Sequence, residues 1–309
     1  MAGFFVPSMR YVKPARLFWM YKLGQHLSKP CIMKTALFTA TFLLAFGAAP
    51  AQAVVVTNVS DATVLANAII GSGVTIRNAT LIGGNPTAQG TFTGGLDSVG
   101  FDSGIVLTTG TTACVAGPNN VSDCTEPSAD GHGLFKTTSL QFDFSSGGGQ
   151  LVFNYVFASE EYNEWVDSAF NDTFALLLDG TNIALLPNGG GVVSINNVNC
   201  TNNSSYYRNN TTTAGNCLNQ NLDIQYDGLT TLLSATAQVT PGTHHFDFTV
   251  ADVVDKLYDS GIFIQGRSFS LLAPQSAIPE PGSLALVALG LTGLALRRRN
   301  ANSASLKPL

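Results

Sequence analysis

Positive charge is nearly missing from the middle of this 309-residue chain, and charge of either sign is sparse, at 11% of residues. Six of the 15 Lys and Arg lie in residues 1–53 and four lie after residue 278. The stretch between keeps only Arg77, Lys136, Arg208, Lys256 and Arg267 against 19 Asp and Glu, a net charge of −14. Such a surface repels polyphosphate, which argues against nucleic-acid binding, and it attracts cations. No CxxC pair occurs, so zinc and thioredoxin-like chemistry lack support. No GxSxG elbow is present, and the 31 glycines form no phosphate-cradling pattern. EF-hand and nonapeptide calcium repeats are missing too. No apolar run reaches the roughly 18 residues of an ordinary membrane-spanning helix. With 45% apolar residues, disorder is excluded as the dominant state.

The basic residues belong to the two ends. From Met33 the chain reads MKTALFTATFLLAFGAAPAQA. Lys34 supplies a positive start, Ala36 to Ala48 an apolar core, and Ala51-Gln52-Ala53 a small-x-small cleavage site. Residues 1–53 therefore read as a signal region, cut after Ala53 by signal peptidase. The segment before Met33 is long for a leader, which places the translation start at Met33 or Met20. A genuine long basic leader is the alternative. No Cys follows the apolar run, so lipid modification is not indicated.

Four cysteines remain beyond the leader: Cys114, Cys124, Cys200 and Cys217. An even count in an exported chain suggests disulfides, with three possible connectivities. Loop-closure entropy favours the neighbours, Cys114–Cys124 and Cys200–Cys217.

Residues 276–309 form a second address. Pro279-Glu280-Pro281 precede an apolar run from Leu284 to Leu296, and Arg297-Arg298-Arg299 follow. Thirteen helical residues span about 20 Å, short of the roughly 30 Å hydrocarbon core. A transient crossing needs the arginines to snorkel, held on the cytoplasmic side. This three-part order resembles a PEP-CTERM sorting signal. The resemblance implies recognition by an exosortase, cleavage near the Pro-Glu-Pro, and delivery to the surface or matrix of a Gram-negative bacterium that makes extracellular polysaccharide.

Between the ends, residues 54–275 suit a single mostly-β domain, a jelly-roll-like β-sandwich with one short N-terminal helix. Asp61 can cap ATVLANAII, placing Val64, Leu65, Ala68 and Ile69 on one face before Gly71. GIVLTTG, LQFDF, LVFNYVFA, HHFDFTVADV and GIFIQGRSFSLL read as strands, and FALLLDGTNIALL as a hairpin about Asp179-Gly180. Gly147–Gly149 reads as a turn.

Candidate chemistry gathers in acidic loops. ASEEYNEWVDSAFND carries Glu160, Glu161, Glu164, Asp167 and Asp172 directly after a strand, and ADVVDKLYDS adds Asp252, Asp255 and Asp259. INNVN and YDG contribute further oxygen groups. Calcium takes six to eight such oxygens. Glu160, Glu161, Asp172, Asp252, Asp255 and Asp259 are accordingly the candidate calcium ligands. Against this stands the ordinary role of Asp and Asn as turn formers.

The series GIVLTTG, FNYVFASEEYNEWVDSAFNDTFALLLDG, NIALLPNG, VSINNVN, YDGLTTLLSATAQVTPG and FTVADVVDKLYDSGIFI resembles the choice-of-anchor L domain over most of residues 61–270. The resemblance implies display on the bacterial surface and carries no catalytic residues. Three readings follow. The first is a non-catalytic surface or matrix protein binding polysaccharide, with Tyr162, Trp165, Tyr206, Tyr207 and Tyr226 as ring faces for sugars. The second is a matrix or filament subunit joined through sheet edges. The third is a glycosidase built on Glu160 or Glu161 with Asp172, and it is the weakest. Adjacent strand residues point to opposite faces, so the two glutamates cannot flank one bond.

Overall fold

The computed structural model describes residues 53–83, 85–121, 137–212, 216–252 and 257–272. Outside these lie Met33, Cys124, Asp255, the Pro279-Glu280-Pro281 punctuation, the apolar run 284–296 and Arg297 to Arg299.

The chain opens with β1 (Val55–Asn58) and α1 (Ala62–Ile69), followed by β2 (Thr75–Ile82), β3 (Gln89–Thr93) and β4 (Gly104–Thr108). The long β5 (Thr137–Ser159) comes next, then β6 (Thr173–Leu178), β7 (Thr181–Asn182), β8 (Tyr207–Asn209) and β9 (Gly228–Thr230). A second long strand, β10 (Leu233–Ala251), precedes β11 (Ser260–Gln265) and β12 (Ser270–Leu272). The domain is thus mostly β with one short α-helix.

Asp61 caps α1 as its position predicts, accepting from the Thr63 and Val64 amides at 2.8 and 3.3 Å. The buried face is Leu65, Ala66 and Ile69, whereas Val64, expected inside, is 49% exposed. The helix rests on the sheet through one narrow stripe rather than the broader expected face.

All twelve strands join one sheet in the order β1-β3-β4-β11-β5-β10-β6-β7, with β2, β9 and β12 also paired to β5 and β8 to β9. LQFDF and LVFNYVFA, which read as two strands, are one. The glycines between them bend β5 without breaking its ladder, since Gly147 still pairs with Pro241 and Gly149 with Val239. Gly148 and Gly149 sit at φ 88° and 128°, and Gly242 opposite at 146°, a region that favours glycine.

The bend is sharp. On a straight strand Phe142 and Phe153 would stand roughly 35 Å apart. Their rings instead lie 5.3 and 5.4 Å from the same ring, Phe269. Phe142, Phe144, Phe153, Phe246 and Phe248 all face this point, and the main core forms around them. A second core lies on the other face, where Val156 and Ala158 of β5 meet Val106, Phe92, Phe263 and Tyr226. LVFNYVFA is thus buried on both faces over its C-terminal half, while Val152 and Asn154 remain half-exposed. Among the described residues no helix is long and apolar enough to cross a membrane.

Candidate functional site

The acidic residues meet where strands end. Glu160 and Asp259 extend the β5–β11 ladder by one step beyond Ser159 against Ser260. The Glu160 amide donates to the Asp259 carbonyl at 2.9 Å, and the Asp259 amide donates to Glu160 Oε2 at 3.2 Å. Asp259 Oδ2 also accepts from the Thr111 amide at 3.2 Å, just beyond β4. Gly110 makes room for this carboxylate, since a Cβ there would lie 1.8 Å from both of its oxygens.

Asp252 lies just past the end of β10. The β10–β6 ladder closes with Ala251 against Thr173, so the same register brings Asp252 level with Asp172. Glu161 links the two groups: its Oε2 accepts from the Asp172 amide at 3.3 Å. Glu160 and Glu161, just past the end of β5, therefore diverge towards different partners.

All five described candidates are buried: Glu160 is 3% exposed, Glu161 0%, Asp172 0%, Asp252 3% and Asp259 2%. Among the described residues no group of three or more His, Cys, Asp or Glu side chains is arranged to hold a metal ion. The sixth candidate, Asp255, lies outside those residues.

The neighbouring loops serve structure more than chemistry. The Asn side chains of INNVN hold backbone: Asn197 donates to Gly190 and Val192 carbonyls, and Asn199 to Ile195. Asn196 joins this loop to the acidic one, donating to the Ser168 carbonyl and accepting from the Asp167 amide. Cys200 and Cys217 are joined by a disulfide with Cα atoms 5.5 Å apart. Cys114 is also disulfide-bonded.

Of the aromatic residues in the acidic and Tyr-rich loops, Tyr162, Tyr207 and Tyr226 are buried, so they offer no face to a ligand. Burial pushes each phenol well above its ordinary value. Trp165 and Tyr206 are half-exposed. Sequence reasoning missed that Phe170 and Tyr258 gather around Trp165, with ring centroids 5.0 and 6.0 Å away. Tyr258 belongs to a separate loop, and only the fold reveals that contact.

Asp227 of the YDG turn behaves unlike an exposed carboxylate. Burial drives its pKa up to about 6, the hydrogen bond from Asn119 opposes that rise, and the nearby Glu164 adds to it. A carboxyl raised in the folded state favours folding while protonated. Stability must therefore fall as pH rises from the ordinary value of 3.8 through about 6. His244 adds a slope of the same sign at higher pH. Its hydrogen bond to Asp179 raises its pKa above 6.5 despite some burial, so its contribution is lost as pH rises through that raised value. Urea unfolding at closely spaced pH values should show the first slope, and Asp227→Asn should flatten it between pH 4 and 6 while leaving the His244 slope. An unchanged profile in the variant would refute the assignment to Asp227.

A mostly-β domain with a disulfide, followed in sequence by an apolar run and three arginines, fits an exported surface module. The family model described as the choice-of-anchor L domain matches residues 53–270, and the chain belongs to that family. The model of the PEP-CTERM protein-sorting motif matches residues 277–299. The protein is thus exported and sorted to the cell surface, and the motif implies processing by signal peptidase and an exosortase. No curated protein and no solved structure matches the chain.

Proposed function

We propose that the protein is a non-catalytic surface or matrix module that binds extracellular polysaccharide at the acidic end of its sheet. The observation that carries this reading is that buried carboxylates lie in pairs past the ends of adjacent strands, Glu160 against Asp259 and Glu161 against Asp172. Opposed like charges in a buried setting are costly, and a cation between them relieves that cost. Calcium fits this role in its preference for oxygen ligands. The described carboxylates do not form a three-residue cluster by themselves, so the set would draw on backbone carbonyls as well. The bend in β5 and β10 supports a sheet folded over as a jelly-roll-like sandwich, with this end as its binding edge. After export the C-terminal helix would hold the protein transiently in the inner membrane of a Gram-negative cell.

The glycosidase reading loses support because Glu161 and Asp172, which the fold does bring together, are both fully buried and offer a glycosidic bond no access. The filament reading retains one observation: β1 lies at the edge of the sheet with Val55 57% exposed.

Thermal melting in calcium and then in chelator tests the cation. Calcium at ten times its dissociation constant should raise the midpoint by about 3–6 °C. A midpoint indifferent to millimolar calcium would remove it. Co-sedimentation with exopolysaccharide from the producing cells tests the ligand. Chelator-sensitive binding is the expected result, and concentration-dependent self-assembly without binding would favour the filament.

A further inference from the structure

We infer that Trp165, Phe170 and Tyr258 form a stacking platform for the ring of a neutral, β-linked hexopyranose chain. This rests on the polysaccharide-binding reading and gives it a subsite.

The three side chains come from two loops. Trp165 and Phe170 lie between β5 and β6, and Tyr258 stands immediately before Asp259 and β11. All three are half-exposed, beside the 48% exposed Leu257. The domain's other large aromatic clusters, by contrast, are buried in the two cores. Phe170 meets the indole at 71° and Tyr258 at 49°, so neither is stacked parallel upon it. A partly exposed indole with neither neighbour stacked parallel on it suits a flat apolar partner.

The platform is held in place. The Trp165 amide donates to the Glu161 carbonyl at 3.1 Å, and the Ser168 amide donates to the Trp165 carbonyl at 3.1 Å. Asp167 is fixed by Asn196 at 2.7 Å and adopts φ 64°. Tyr258 also lies in the left-handed region, at φ 63°, which is unfavourable for a bulky side chain. Strain of this kind persists where the surroundings demand it, and it clusters at ligand contacts. The Tyr258 ring lies 6.0 Å from that of Trp165.

The chemistry selects the ligand. A pyranose with equatorial hydroxyls has a flat face of axial C–H groups, which stacks on an aromatic ring while its hydroxyls reach outward. Glu164 and Asp167, exposed on the same loop, can accept from those hydroxyls. A uronic acid chain would meet these carboxylates and the domain's net negative charge, so a neutral chain is favoured.

The test uses the chain from Val54 onward, in which Trp165 is the only tryptophan. Soluble β-glucan, β-mannan and β-galactan are titrated, with polygalacturonate as the acidic comparison and the producing cells' exopolysaccharide as the reference. A neutral β-linked chain should shift the Trp165 emission saturably. Trp165→Ala, studied by co-sedimentation, should weaken binding at least about tenfold, and Tyr258→Phe should bind as the parent does. Tyr258→Gly is the decisive variant. Glycine tolerates the positive φ, so the fold should be kept or stabilised while binding falls. If the parent binds the reference while Trp165→Ala and Tyr258→Gly bind equally well, the platform is refuted and the general reading stands. Binding of polygalacturonate alone would overturn the choice of a neutral chain. A parent that binds none of these polysaccharides would overturn the polysaccharide reading itself, and the platform with it.

Discussion

Phe269→Ala is expected to lower the unfolding free energy by about 3–5 kcal/mol, the range for removing a buried aromatic ring from a packed core. Phe269 sits between β11 and β12 and is fully buried. Its ring centroid lies 5.3 Å from Phe142, 5.4 Å from Phe144 and Phe153, and 5.1 Å from Phe246. These partners come from both halves of the bent β5 and from β10, so the ring fills the space that the bend encloses. The backbone cannot easily follow to close the gap. The Phe269 amide donates to Ile69 and its carbonyl accepts from Gly71, at 3.0 and 2.9 Å, which ties the position to the end of α1. Phe269→Leu keeps most of the volume and should cost less than about 1.5 kcal/mol. Urea unfolding measures both. A loss below about 1 kcal/mol for the alanine variant would show that the cluster collapses into the space left behind.

The second large effect is expected at Gly110→Ala, which should destabilise the domain by about 3 kcal/mol. The new methyl would overlap both oxygens of the Asp259 carboxylate. Either that side chain abandons the hydrogen bond from Thr111, worth about 1.5–3 kcal/mol for a charged acceptor, or β4 shifts at an overpacking cost of about 1–3 kcal/mol. The two sites are coupled, so the sum of the single losses should exceed the loss in the double variant. In an Asp259→Ala background the penalty of Gly110→Ala should largely vanish. Strict additivity by equilibrium unfolding would rule this contact out. The same substitution also displaces one of the candidate calcium ligands, and the calcium-dependent rise in melting midpoint should shrink with it.

Local patterns in the sequence carry much of this architecture. Asp61 before an apolar helical stripe, Asp179-Gly180 between apolar runs, and alternation in LQFDF and HHFDF each follow from side-chain period and turn chemistry. Less legible was what happens between such segments. Three glycines normally end a strand, yet here Gly147 to Gly149 bend one that continues, because β10 supplies Pro241 and Gly242 opposite and bends with it. In the candidate site, the residues were visible as a run of carboxylates, but their partners were not. Asp172 lies level with Asp252 because of the β10–β6 register, and Glu160 with Asp259 because of β5–β11. Tyr258 reaches Trp165 for the same reason, across two connections that no local period encodes. The buried Tyr162, Tyr207 and Tyr226 show the reverse: loop composition suggested accessible rings, and tertiary packing claimed them.

The position of β12 separates the C-terminal end of the described domain from its carboxylates. Leu272, its last residue, pairs with Gln150 near the bend, whereas the carboxylates lie just past Ser159 at the other end of the same strand half. That separation is roughly 30 Å along β5. The sorting motif begins at residue 277, and so short a leash reaches less than about 20 Å when fully drawn out. Leu272, from which the chain runs on to that motif, thus stands at the end of this strand half opposite the carboxylates.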